Sequence, residues 1–264
     1  MEIEEIKETL LGLDVSTKTV GVTLAVIDKD DNVKVLQVTH LRPKVSSKIK
    51  GTESLFAKSN IIGKELERYK NYNIDKVIIE EPLVGSNNAE TVAVLLRYNG
   101  MISQLVYYTL GIVPEFISSY DARKYGFPQL MAVRKFNKKG ETYDLKKIRK
   151  SIKKNELVLF GQYSFDCAKK LILWNIVSDM FPDIEWQYNK KGELKDENFD
   201  ASDSLVCILG YIGKRKYGDM QPKILNAQET RRPDGSVLIE YQTSFCGQTY
   251  SKTLELSSEE VGDN

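Results

Sequence analysis

Hydrophobic and polar positions divide the chain into short blocks of distinct period. Leu10-Leu-Gly-Leu-Asp14 is an apolar run with an acidic end and predicts a strand. It leads through Ser16-Thr17-Lys18-Thr19 into a second β-rich run, Val20–Ile27. Asp30-Asp31-Asn32 is turn chemistry, and Val33–Thr39 alternates as a third strand, so three antiparallel strands open the fold. Between Glu53 and Tyr69, the residues Leu55, Phe56, Ile61, Ile62 and Leu66 recur at helical spacing. Val77-Ile78-Ile79, within Asn73–Glu80, is a continuous apolar run of the kind found in strands buried on both faces. A helix over Asn88–Leu110, a short strand at Ile112–Ile117, and helices around Phe165–Met180 and Ala201–Lys214 follow. The Asn88–Leu110 helix is apolar on more than one face and is assigned to the core rather than to an interface.

Strands first and β-α-β-α alternation afterwards predict an α/β domain with a mixed sheet flanked by helices. Past Gly218 the pattern changes. Ser236–Thr243 and Tyr250–Leu256, with Gly247 between them, predict a small β-hairpin preceded by a turn at Arg231-Arg-Pro-Asp-Gly235. The expected division is 1–218 for the main domain, with a basic insertion at about 129–164, and 219–264 for a small β-rich extension.

Composition narrows the chemistry. The chain has 264 residues, 41% hydrophobic and 28% charged, which suits one packed domain with a small appendage. Its acidic start, MEIEEIKETL, lacks the pattern of a signal peptide, and no apolar run reaches the roughly 18 residues of a membrane span. Three scattered cysteines offer neither a disulfide framework nor a zinc ribbon, so a soluble protein of a reducing, cytoplasmic compartment is expected. His40 is the single histidine, which removes most zinc sites, serine triads and imidazole schemes and leaves carboxylates, lysines or a metal to do any catalysis.

Net charge is only +1, but its distribution is uneven: from Arg134 to Lys154 there are ten basic residues against Glu141 and Asp144. Such a block is either a solvated face or a strip that meets phosphates, with Arg134, Lys135, Lys138, Lys139, Lys146, Lys147, Arg149 and Lys150 as its contacts. Phe136 and Tyr143 within it either stack on unpaired bases or anchor the segment to the domain.

Four acidic residues stand where chemistry is done in α/β folds. Asp14 closes the first strand, Glu80 closes the buried one, and Asp200 and Asp203 lie three apart at the start of the last long helix, on one face. An isolated aspartate at a strand end or helix start is more often a cap. If the first and fourth strands are neighbours, however, the four converge at the carboxyl ends of the strands, where such folds bind ligands. Converging carboxylates raise one another's pKa and call for a hard divalent cation, magnesium or manganese. Glu81 competes with Glu80, but alternation lets only one face the site, and Glu80 directly follows the apolar run.

The segments Leu11-Gly-Leu-Asp14-Val-Ser-Thr-Lys-Thr-Val-Gly21, Val77-Ile-Ile-Glu80-Glu-Pro, Asn87-Asn-Ala89 with Gly100, and Phe199-Asp200-Ala-Ser-Asp203-Ser-Leu resemble the RuvC Holliday-junction resolvases of the RNase H-like nuclease superfamily. The resemblance spans roughly residues 9–214. It implies a homodimeric Mg²⁺- or Mn²⁺-dependent endonuclease that binds four-way DNA junctions and nicks opposing strands, with two ions per active site and Asp14, Glu80, Asp200 and Asp203 as metal ligands. Asp14 would bridge both ions, Glu80 and Asp200 would complete one site and Asp203 the other, with the ions ~4 Å apart. It also places Ser118–Lys124, with Arg123 and Lys124, and the Lys169-Lys170 pair near the family's basic DNA contacts and catalytic lysine. A cap or a solvent-facing position is the competing reading for Lys169 and Lys170.

The chain departs from the family in carrying Val15-Ser16 where Pro-Gly is usual, and Leu83-Val84 where many members have an aromatic wedge, which leaves Leu83 as the DNA-facing residue there. Its lysine-, isoleucine- and tyrosine-rich character suits a phage or other viral member. Flaps, forks or RNA-containing duplexes are alternative substrates, and a branched-DNA-binding module without cleavage is an alternative function. The Leu-Gly-Leu-Asp-x-Ser-Thr motif is also similar to the first phosphate hairpin of sugar kinases and actin-like ATPases, but no second glycine-rich loop accompanies it.

Overall fold

The computed structural model describes residues 6–82, 88–128, 145–154, 169–218 and 220–261. The chain forms two compact units, Met1–Gly126 with Ala168–Arg215, and Phe127–Cys167 with Lys216–Asn264.

In the first unit, β1 (Ile6–Val15) pairs antiparallel with β2 (Val20–Asp28), which pairs antiparallel with β3 (Val33–Leu41). The β1–β2 connection is closed by Ser16, whose N–H donates to the Thr19 carbonyl at 3.0 Å. After α1 (Gly51–Leu66) and a 3₁₀ turn (Glu67–Tyr72), β4 (Lys76–Glu80) joins β1 in parallel, with Leu13 beside Ile79. Helix α2 (Ala89–Leu110) then leads to β5 (Glu115–Ile117), parallel to β4, and α3 (Ser119–Gly126). The sheet order β3-β2-β1-β4-β5, with three antiparallel strands and then parallel ones, is the mixed arrangement expected from the sequence.

Alternation sorts the residues of β1 and β4 between two layers. Leu11 and Leu13 of β1 and Val77 and Ile79 of β4 enter a core with Leu55, Ile62 and Leu66 of α1 and Tyr98, Ile102 and Val106 of α2. Leu10, Ala25 and Ile27 on the opposite face pack on Ile208 and Ile212 of α6 (Glu197–Tyr217), which follows α5 (Lys169–Met180). None of the described helices is long and apolar enough to cross a membrane.

The second unit is a three-stranded antiparallel sheet, β6 (Lys223–Arg231), β7 (Val237–Phe245) and β8 (Gln248–Leu256), in that order, ending in a short α7 (Ser258–Val261). The expected hairpin is β7–β8, turned by Cys246 and Gly247, both at positive φ as a tight hairpin turn requires. Strand β6 adds a third member that its polar sequence, KILNAQETR, conceals. Leu145 and Ile148 of α4 (Leu145–Lys153) are buried with Val237, Ile239, Tyr241, Leu254 and Leu256. The helix of the basic insertion therefore belongs to the unit of the carboxyl-terminal strands, not to the main domain in which the sequence reading put it.

Candidate active site

Helix α6 brings half of the site to the sheet because two strand positions lack side chains. An ideal Cβ on Gly21 would stand 1.9 Å from the Asp200 carbonyl oxygen, and one on Gly12 would stand 2.3 Å from that of Ser204. The helix backbone thus lies directly on β1 and β2, and a buried hydroxyl pair, Thr23 Oγ1 and Ser204 Oγ at 2.7 Å, fixes its height. Asp200, Ser204, Ile208 and Ile212, four residues apart, form the stripe that meets these strands. Asp203 and Cys207 form the adjacent stripe, with Cys207 Sγ 3.9 Å from Glu80 Oε2.

The strands deliver the other two carboxylates. Leu13 and Ile79 are in register, so Asp14 and Glu80 occupy the next positions of parallel neighbours. Both lie on the α6 face by alternation, two residues beyond Gly12 and Ile78. Glu81, one residue on, instead donates its backbone N–H to the Ile117 carbonyl at 2.8 Å. The Asn99 amide of α2 donates to the Glu80 carbonyl at 3.2 Å and ties down the end of β4.

The four carboxylates hold their protons unusually tightly. Burial raises the Asp14 pKa well above the ordinary range, and the charges of Glu80, Asp203 and Asp200 raise it further. Burial, with the Asp203 charge behind it, pushes Glu80 up to about 7. Burial also raises Asp203, against the pull of Arg123 and Lys170, and raises Asp200, against Lys170 and a hydrogen bond from Thr19. The Cys207 thiol, fully buried beside Glu80, is pushed up as well.

Among the described residues, Lys170 and Arg123 face this cluster. Lys170 Nζ lies 3.8 Å from Asp200 Oδ1 and 3.8 Å from Asp203 Oδ2, and Arg123 Nη2 lies 3.9 Å from Asp203 Oδ1. These are loose approaches rather than hydrogen-bonded pairs. Among the described residues, no three carboxylate, thiol or imidazole groups stand close enough together to hold one metal ion. The quartet shares one end of the sheet without closing on a common point, as mutually repelling charges do.

The structure thus places Asp14, Glu80, Asp200, Asp203 and Lys170 together, and it adds Arg123, which the sequence reading had set among DNA contacts. Lys124 lies with its Nζ 5.0 Å from the centre of the Tyr125 ring. Arg149 of α4 forms a two-pronged ion pair with Glu229 of β6, which engages it within its own unit, while Lys146 and Lys150 are exposed. Leu83, Arg134, Lys135, Lys138 and Lys139 lie outside the described residues, as do Phe136, Tyr143 and the side chains of Lys147 and Lys169. Thr19, Asn99 and Cys207 were not foreseen. Cys207 was within reach of the sequence, since it lies one helical turn beyond Asp203.

No family model matches the chain, and no curated protein matches it. Among solved structures it is similar to Thermus thermophilus RuvC in complex with a Holliday junction substrate, at 10% identity and TM-score 0.47, covering 80% of this chain and 96% of that one. It is similar to the yeast mitochondrial Holliday junction resolvase at 14% identity and TM-score 0.42, covering 77% of each chain. It is also similar to an Aquifex aeolicus Ppx/GppA phosphatase at 12% identity and TM-score 0.34, covering 79% of this chain and 92% of that one.

Proposed function

We propose that this chain is a divalent-metal-dependent endodeoxyribonuclease that resolves four-way DNA junctions by paired nicks. The observation that carries the reading is the meeting of four carboxylates from β1, β4 and α6 at one end of the sheet, where burial and mutual repulsion leave them short of positive charge. An all-oxygen donor set of this kind suits magnesium or manganese. Asp14, Glu80, Asp200 and Asp203 would hold the metal, which supplies Lewis acidity at the scissile phosphate and an activated water.

The net reaction adds water across one phosphodiester. An oxygen of water bonds to phosphorus, the bond from phosphorus to the 3′ oxygen breaks, and that oxygen leaves as a hydroxyl after taking a proton. Lys170 and Arg123 stand against the carboxylates and would offset negative charge as it builds on the phosphate. The Thr19 hydroxyl and the Asn99 amide hold Asp200 and the end of β4 in place. The exposed lysines of α4 would meet phosphates of duplex arms without sequence preference. Paired nicks in a two-fold junction need two active sites related by a two-fold axis, so the working form would be a homodimer.

The test is cleavage of a labelled immobile four-way junction beside a matched duplex and a 5′ flap, each with Mg²⁺ and with chelator. Symmetric nicks confined to the junction and abolished by chelator are expected. Cutting of the flap alone would reassign the substrate, and no cutting of any of the three would leave a branched-DNA-binding module.

A further inference from the structure

A cleft of about 1130 Å³ opens beside the carboxylates in the first unit. Its walls are the β1–β2 turn, the segment 42–49 that follows β3, the start of α1, and the start of α6. The volume exceeds the ~300–1,000 Å³ of ordinary small-molecule pockets, which favours a chain-like occupant over a single nucleotide.

Its chemistry is that of a phosphodiester track. Lys18, Lys44, Lys58 and Lys170 line it, with serine hydroxyls between them. Lys58 also holds the β1–β2 turn, donating from Nζ to the Thr17 carbonyl at 2.8 Å, and Arg42 is paired with Glu197 at 2.6 Å. Lys18 and Lys44 are exposed, and neither forms an ion pair among the described residues. Asp196, Glu197 and Asp200 are the acidic members, and Asp200 with Lys170 belongs to the carboxylate site, so the cleft borders that site at these two residues.

The cations are interleaved with Pro43, Val45, Ile49 and Phe199. A duplex turns only phosphate and sugar toward such a wall and has nothing to lay on those side chains. An unpaired strand has bases to spare for them.

We propose that this cleft binds an unpaired DNA strand and feeds it to the carboxylates, with Lys18 and Lys44 on its phosphates and the half-buried Val45, Ile49 and Phe199 under its bases. The inference deepens the nuclease reading and rests on it for the purpose of the cleft, though not for the binding itself. It makes locally opened DNA, not intact helix, the form that reaches the site. It also puts a DNA contact on residues 42–49, where the sequence reading placed none.

The test measures fluorescence anisotropy of a short labelled oligo(dT), an abasic oligomer of equal length and a matched duplex, in chelator so that nothing is cut. The protein is the full chain, as wild type, as Lys18→Ala/Lys44→Ala, and as Lys64→Ala on the exposed side of α1 for a control. The double variant is expected to bind oligo(dT) at least tenfold more weakly and to lower the salt slope by about 1.4, the value for two single-strand phosphate contacts, while Lys64→Ala changes neither. The abasic oligomer should bind the wild type more weakly than oligo(dT). Unchanged oligo(dT) binding by the double variant would overturn the proposal, as would an equal loss on the duplex or equal binding of the abasic oligomer. Failure of the nuclease reading would show elsewhere, as absence of Mg²⁺-dependent cutting by the wild type with oligo(dT) binding intact.

Discussion

The two units handle charge in opposite ways. In the second, the described ion pairs lie at the surface, Arg149 with Glu229 and Arg232 with Glu255, and the core is built from apolar side chains such as Leu145, Ile148, Val237 and Ile239. In the first, four carboxylates share one partly buried spot, and two cations approach them only to 3.8–3.9 Å. The second arrangement is what folding alone favours. The first holds like charges together at a cost to the fold, and such local conflict marks a site kept for function.

The largest expected effect tests that contrast directly. Asp14→Asn should lower Mg²⁺-dependent cleavage at least about a hundredfold to a thousandfold, the scale on which single electrostatic contributors to catalysis are lost. The same change removes the most strongly perturbed charge of the cluster, so the metal-free protein should melt at a higher temperature than the wild type. A variant that lost activity and also melted lower would contradict the picture of a strained acidic cluster. Gly21→Ala comes next. Its methyl would collide with the Asp200 carbonyl, displacing α6 and costing about 1–3 kcal/mol as overpacking does, in urea unfolding. Cleavage should fall with it, because Asp200 and Asp203 ride on the displaced backbone.

These glycines show where sequence was informative and where it was not. The strands of the first unit were legible because they are apolar runs or clean alternations, and the four carboxylates because each closes or opens an element. Contact between β1 and β4 could be posed only as a condition, since parallel pairing is set by a crossover and leaves no local mark. Asn99 and the approach of Arg123 to Asp203 depend on which helices meet, which periodicity does not give. Strand β6 was missed because an edge strand with exposed residues carries no apolar alternation. The packing of α4 was not foreseen for a related reason. Ten basic residues in a short stretch drew attention away from Leu145 and Ile148, three apart, which pack on the carboxyl-terminal sheet.

A smaller effect follows from pH. The Glu80 carboxyl has an ordinary value of 4.5 and is held at about 7 in the folded protein. Between these values the folded chain retains a proton that the unfolded chain has released. This contribution to stability is fully present below about pH 4.5 and is lost as pH rises through about 7. Asp14, Asp200 and Asp203, all raised, act with the same sign. The melting temperature in chelator should therefore fall across that window, and Glu80→Gln should flatten the fall. A wild-type profile that rose between pH 5 and pH 7 would mean that the carboxylates are better compensated than the geometry implies.

The smallest expected effect belongs to the second unit. Arg149→Ala removes a two-pronged ion pair with Glu229, but both partners are partly exposed, with 46% and 31% of their side chains accessible. Solvent screening leaves such a pair worth about 0.2–1 kcal/mol, so the denaturation midpoint should shift slightly and the shift should shrink at high salt. Junction cleavage should not change. If Arg149 instead serves the DNA strip that its neighbours suggest, its loss should weaken junction binding and lower the salt slope while stability stays put. That outcome would transfer part of the second unit's paired charge from folding to function, and it would narrow the contrast between the two units to the buried cluster alone.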